Sequence, residues 1–288
     1  MAENAQPELI KSVPRLRRAL DDVRRHGKTI GFVPTMGALH EGHLSLIRAA
    51  KAECEFTVVS IYVNPTQFGP QEDFTRYPRT LEADLAALAS VQTGLVFAPG
   101  NEDMYRSGHD TWIQVGAVAD CLEGQCRPGH FRGVATVVLK LLNIVGPDMA
   151  YFGHKDYQQA LVIRRMVEDL NVPVAIRVCP TVREADGLAM SSRNRYLGSD
   201  ARRRATALYR SLELASHLVR QGQTAAQAIV ARMCEVLLDE GQAQIEYVAL
   251  VDPDTLLPVE QVTAATLALI AARIDDTRLI DNAILRPY

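Results

Sequence analysis

Short runs of β-branched and apolar residues recur at 29–33, 57–63, 95–98, 149–152 and 174–179, and the stretches between them carry apolar side chains at helical spacing. Strands that are apolar throughout must be covered on both faces. The helical patterns at 14–25, 43–52, 81–90, 134–145 and 156–170 supply that cover. The alternation predicts parallel βαβ units, and so an α/β, Rossmann-like doubly wound parallel sheet. From 183 the pattern changes to a polar, turn-rich passage (183–200), helices at 201–221 and 224–240, and strands at 246–251 and 266–271. This division predicts a first domain over 1–182 and a smaller α+β domain over 183–288. Ligands of doubly wound sheets sit outside the carboxyl ends of the strands, so chemistry is expected in the loops after Val33, Val63 and Phe152.

Charge and cysteine usage narrow the function classes. Lys and Arg number 31 against 34 Asp and Glu, a net charge of −3 that argues against a nucleic-acid partner. The weakly polar stretch 264–272 is well short of the roughly 18 residues that cross a bilayer, and the N-terminus lacks an apolar signal core. A cytoplasmic protein with no membrane partner is expected. The scattered Cys54, Cys121, Cys126, Cys179 and Cys234 fit neither a disulfide framework nor a zinc ribbon, and read as reduced thiols.

After the first strand comes Pro34-Thr35-Met36-Gly37-Ala38-Leu39-His40-Glu41-Gly42-His43-Leu44. A helix start of this kind offers backbone N–H groups and a dipole to phosphate. Gly37 and Gly42 have P-loop spacing, but His43 and Leu44 stand where its Lys and its Ser or Thr belong, so this is not a P-loop. His40 and His43 share a face if both are helical, and both imidazoles then reach one triphosphate. Half a zinc site and plain surface histidines are the competing readings.

Other strand ends carry further candidates. Asn64-Pro65-Thr66-Gln67 closes the second strand with two carboxamides; Gln67 donates to a carboxylate without the full charge of Arg, whereas an Asn-Pro turn accounts for Asn64 alone. Thr80 reads as a helix N-cap. Arg127-Pro128-Gly129-His130-Phe131-Arg132-Gly133 suits an anion, or is a solvated loop. Gly153-His154-Lys155-Asp156 follows the fourth strand: Lys155 is a mobile charge for phosphate oxygens, and Asp156 caps the helix or receives a ribose or a metal-bound water. Met190-Ser191-Ser192-Arg193 offers hydroxyls and a guanidinium to pyrophosphate, against the alternative of a serine-rich turn.

His-x-Gly-His after the first strand resembles the nucleotidyltransferase superfamily shared with class I aminoacyl-tRNA synthetases. The longer string through Leu44 is similar to the pantoate–β-alanine ligase (pantothenate synthetase) family, and the other motifs, with the closing Asp275-Asp276-Thr277-Arg278-Leu279-Ile280-Asp281-Asn282, match it in order over essentially the whole chain. The resemblance implies an ATP-dependent ligase that joins (R)-pantoate to β-alanine through a pantoyl-adenylate, with Mg²⁺ bound through ATP rather than by side chains. It implies His40, His43, Lys155, Ser191, Ser192 and Arg193 as catalytic groups. Met36, Gly37, Ala38, Leu39, Glu41, Gly42, Gly153, His154, Asp156, Val182 and Met190 join them around ATP, Val182 through its backbone at the adenine. Gln67 and Gln159 are implied to hold pantoate, with Asn64, Arg127 and His130 also at the substrate, and a homodimer is implied. His154 departs from the family's usual Glu or Gln, which puts a side-chain role there in doubt. A transferase moving AMP onto a nucleotide phosphate, and a module that senses ATP without turnover, are the rival readings; the neutral pair Gln67 and Gln159 weighs against the first.

Overall fold

The computed structural model describes residues 6–70 and 72–287. In chain order its strands are β1 (Glu8–Ile10), β2 (Ile30–Thr35), β3 (Phe56–Ile61), β4 (Leu95–Phe97), β5 (Met149–Gly153), β6 (Ala175–Cys179), β7 (Gln244–Val251), β8 (Thr266–Ile274) and β9 (Thr277–Leu285). The longer helices are α1 (Val13–Arg25), α2 (Glu41–Glu53), α3 (Leu81–Ser90), α4 (His130–Val145), α5 (Tyr157–Asp169), α6 (Ser199–Ala205), α7 (Ala207–Arg220) and α8 (Ala226–Asp239). The chain divides into two compact units: 1–154 with 158–180, and 155–157 with 181–288.

The first unit is a six-stranded sheet in the order β1-β4-β3-β2-β5-β6, parallel at every pairing. This is the expected doubly wound sheet, with its order reversing between β2 and β5. The core is built around Val33, Ile47, Val59, Leu88, Val96 and Tyr151. Gly31 lets α2 lie close on β2, because a Cβ there would meet Cys54 and Ala50 at 3.1–3.2 Å. Pairing of β2 with β5 ends at Phe32 opposite Ala150. Ile30 faces β5, since its carbonyl accepts the Asp148 N–H, and Pro34 has the same parity while offering no N–H. The proline thus ends the ladder on that side and parts the two strands where a crevice is needed.

The second unit is a three-stranded antiparallel sheet, β7-β8-β9, with helices on it. Its core gathers Leu208, Leu212, Ile229, Met233, Leu237 and Ile270.

Several expected elements are corrected. The helix expected over 201–221 is two helices, broken where the Thr206 hydroxyl turns back to the Arg203 carbonyl at 2.7 Å, a local bond that competes with the helix ladder. The region expected to end in two strands has a third, β9, joined to β8 through Asp275 and Asp276, the first of them at φ 50°. The turn has two residues, with Ile274 paired to Thr277 across it, and it lacks the glycine that usually marks a two-residue hairpin in sequence. Strand β1 was not expected, because it opens on the exposed Glu8 and is apolar only at Leu9 and Ile10, whereas the equally short β4 is apolar and buried at all three positions. The passage 127–133 is not a solvated loop: Gly129, at φ 83°, precedes α4, whose first turn buries His130, Phe131 and Gly133. No described helix is long and apolar enough to cross a membrane.

Candidate active site

At the end of β2 the chain turns through Gly37 (φ 80°) and Ala38 (φ 51°) before α2. The Gly37 N–H donates to the Thr35 hydroxyl at 3.1 Å, and those of Ala38 and Leu39 donate to the Asp84 carboxylate at 3.0 and 2.8 Å. These three N–H groups are therefore committed inside the protein. Asp84 was missed at the sequence level, where only Thr80 was singled out in that region. Thr80 does occupy the N-cap position but makes no side-chain cap; its hydroxyl donates to Asp84 instead, at 3.3 Å.

His40 is the N-cap of α2 and His43 lies three residues on, so His40 is not itself helical. Their rings nevertheless lie 4.1 Å apart, tilted by 42°. The His40 backbone N–H donates to His43 Nδ1 at 3.3 Å. That contact fixes the neutral ring as the Nε2–H tautomer, a donor on its outer side. Glu41 is exposed and pairs with Arg48, whose hydrogen bond holds its carboxyl below the usual range.

The turn after β3 is built on Asn64, 1% exposed. Its Oδ1 accepts from the Thr66 N–H and hydroxyl at 3.4 and 3.0 Å, while its Nδ2 donates to the Gly133 carbonyl at 3.2 Å and to Gln67 Oε1 at 3.1 Å. With its amide oxygen so held, Gln67 presents its NH₂, which lies 3.2 Å from Met36 Sδ. Asn64 thus holds a carboxamide in a fixed orientation beside the loop that carries the histidines.

Arg127 and His130 support the same turn from below. Arg127 makes a bidentate pair with Glu72 at 2.7 and 2.8 Å, and its Nη1 lies 3.8 Å from Glu123. His130 Nδ1 sits 2.8 Å from the Gln67 carbonyl, an acceptor, and its Nε2 sits 3.1 Å from Arg127 Nη1, a donor. The ring is accordingly neutral with its proton on Nδ1. Burial pushes the His130 pKa down to about 4, with the Arg127 charge acting in the same direction. Burial pushes the Glu72 carboxyl up, but its hydrogen bond and charge pairing with Arg127 outweigh this and hold it below the usual carboxylate range. Arg127 thus meets Glu72, Glu123 and the Gln67 carbonyl, and His130 meets Arg127 and the same carbonyl.

At the end of β5, a Cβ on Gly153 would meet no protein atom within 4 Å, so the bare backbone there leaves open space. His154 is half-buried. Of the neighbouring carboxamides, Gln158 is buried and donates to the Val118 and Cys121 carbonyls at 2.8 and 2.9 Å, whereas Gln159, one turn from Lys155, is half-buried.

In the second unit, Lys155 Nζ lies 3.6 Å from Asp156, and the Lys155 carbonyl accepts from Asn282 Nδ2 at 2.9 Å. Asp281, beside Asn282, takes a bidentate pair from Arg183 at 2.6 and 3.0 Å. Met190 N–H donates to the Val182 carbonyl at 3.0 Å, and Ser191 caps the short turn Ser192–Tyr196 by accepting the Arg193 N–H at 3.3 Å. Asn194 ties this turn to Glu184 at 2.7 Å. Among the described residues, no three His, Cys, Asp or Glu side chains cluster so as to hold a metal ion.

A sheet of this order with His-x-Gly-His at its reversal point, a carboxamide aimed beside it and an open strand end opposite defines an α/β domain of the nucleotide-handling kind. The comparisons sharpen this. A family model described as pantoate-beta-alanine ligase matches residues 8–284, and the chain belongs to that family. It is 51% identical over 278 residues to the pantothenate synthetase of Moorella thermoacetica, covering 96% of this chain and 98% of that protein. The crystal structure of pantothenate synthetase from Thermus thermophilus superposes with a TM-score of 0.93 at 47% identity, covering 97% of this chain and all (100%) of that one. A pantoate-beta-alanine ligase from Francisella tularensis, solved with beta-gamma ATP and beta-alanine, superposes with a TM-score of 0.80 at 34% identity, covering 96% and 97% of the two chains.

Proposed function

We propose that this chain joins (R)-pantoate to β-alanine in the cytoplasm, as a homodimer, cleaving ATP to AMP and pyrophosphate. The observation that carries the reading is the Gln67 amide, turned donor-outward by Asn64 and set beside Met36 of the His40–His43 loop. A neutral donor there binds a carboxylate or hydroxyl without blunting the carboxylate as a nucleophile.

In the first step a pantoate carboxylate oxygen attacks the α-phosphorus and pyrophosphate leaves, giving pantoyl-adenylate. The carboxylate is ionised at pH 7, with an ordinary pKa near ~4, so no base is needed. Alignment and charge stabilisation are needed instead. His43 donates from Nε2, and His40, Lys155, Ser191, Ser192 and Arg193 supply the remaining donors to the phosphoryl oxygens and the leaving group. The loop 36–42 and Gly153 border the nucleotide, with Val182 and Met190 at its base. Gln67 and Gln159 hold pantoate, while Asn64, Arg127 and His130 keep Gln67 in place. Mg²⁺ held through the ATP phosphates supplies charge neutralisation there, and Asp156, half-exposed beside Lys155, is the carboxylate suited to receive one of its waters. In the second step the neutral amine of β-alanine attacks the acyl carbon, AMP leaves, and the amine loses its proton.

The test is pyrophosphate–ATP exchange with (R)-pantoate and Mg²⁺ but without β-alanine, run on the fraction that sediments as a dimer. Exchange that requires pantoate, and that gives way to pantothenate and AMP when β-alanine is added, is expected. Absence of exchange in folded dimer rules out a reversible adenylate, and activity confined to a monomer fraction rules out the dimer.

A further inference from the structure

Asp84 stands in the first turn of α3, outside every motif singled out in the sequence, yet it reaches the nucleotide loop. Its carboxylate is 3% exposed and accepts the N–H groups of two successive loop residues, Ala38 and Leu39, together with the Thr80 hydroxyl. Three donors converging on one group suit a side chain that only accepts. An acidic residue in a helix's first turn ordinarily serves that helix's own N-terminus. Here it serves a segment 45 and 46 residues earlier in the chain.

That segment holds an unfavourable path. Gly37 and Ala38 are both left-handed, at φ 80° and 51°, and an Ala in that region persists only where its surroundings fix it. The Asp84 Oδ2 atom also sits 3.0 Å from where a Cβ on Gly37 would lie, so carboxylate and bare glycine fit against each other. On one side of this turn is Met36, against the Gln67 amide; on the other, Leu39 leads directly into His40 and the start of α2.

We infer that Asp84 is a positioning residue for adenylate formation: by fixing the backbone of Ala38 and Leu39 it sets where Met36 and the His40–His43 pair stand toward ATP. The inference rests on the ATP-dependent ligation proposed above. A carboxylate with only a structural role would change stability and leave the chemistry of the folded enzyme alone.

The experiment compares wild type with Asp84→Asn, whose amide accepts one N–H but turns its own NH₂ toward the other. Each enzyme is assayed by pantoate-dependent pyrophosphate–ATP exchange and, separately, by pantothenate release from supplied pantoyl-adenylate and β-alanine. Exchange is expected to fall about tenfold to a hundredfold, the scale of a roughly 1 Å misplacement of reacting groups. Turnover of the supplied adenylate should stay near the wild-type rate. Equal exchange in the two proteins, or an equal fall in both half-reactions, overturns the inference. Asp84→Glu, which keeps both acceptor oxygens but displaces them by one methylene, gives the same comparison where Asp84→Asn does not fold. Wild type that shows no exchange at all removes the adenylate reading, and this inference with it.

Discussion

The His43 ring takes the His40 N–H on Nδ1, which places the proton of the neutral ring on Nε2. In the proposed chemistry that Nε2–H is the donor, so the role depends on the contact at Nδ1. His43→Ala and Lys155→Ala are each expected to cut adenylation about a hundredfold or more, the loss typical of a transition-state donor, with circular dichroism unchanged. Near-wild-type exchange in either folded variant removes that residue from the chemistry. Residues of this kind are legible in a sequence because strand ends announce where ligands bind and the side chains there have few structural uses. Asp84 was not legible, since its partners are backbone groups brought to it by folding. Arg127 and His130 were legible as polar residues but not in their partners: the carboxylate in a bidentate pair with Arg127 is Glu72, 55 residues earlier, and no local spacing reveals it.

Elements set these residues through close approaches that single glycines permit. Gly133, in the first turn of α4, lies against the turn Pro65–Gln67; a Cβ there would sit 2.4 Å from the Thr66 carbonyl oxygen and 2.8 Å from Gln67 Cα. Both are backbone atoms, so the strain cannot be relieved by a side-chain rotation. Gly133→Ala is expected to destabilise by about 1–3 kcal/mol, the usual cost of overpacking, and to raise the KM for pantoate several-fold more than that for ATP. Equal shifts in the two KM values would show that the turn does not act through Gln67. Periodicity foretold the helix over 81–90 to the residue and strands β2 to β6 within one to two residues. It missed what depends on one or two residues: the break at Thr206, the Asp275–Asp276 hairpin, and a three-residue strand supported by its neighbour β4 rather than by its own pattern.

At the scale of the whole molecule, two units with separate cores are expected to give separable unfolding transitions, and the single tryptophan selects one of them. Trp112 lies in the first unit, with the Arg132 guanidinium 4.9 Å from its ring centre, so its fluorescence follows the unit that holds His130. The His130 pKa is depressed from 6.5 to about 4 on folding. Between those values the unfolded chain binds a proton that the folded chain does not, so stability falls as the pH drops through the window and levels off below about 4. The full loss is about 3 kcal/mol at about 1.4 kcal/mol per unit, and about 2 kcal/mol of it appears by pH 5. Glu72 contributes lower down: its folded pKa lies below 4.5, so the stability it adds is present above that value and is lost as the pH falls further. The range from 7 to 5 therefore isolates the histidine of this pair. Urea titrations read by Trp112 at pH 7 and pH 5 should show the difference in wild type and lose most of it in His130→Gln. The same slope in both proteins would mean that His130 is protonated in the folded state, and that the neutral Nδ1–H ring supporting Gln67 is the wrong account of this turn.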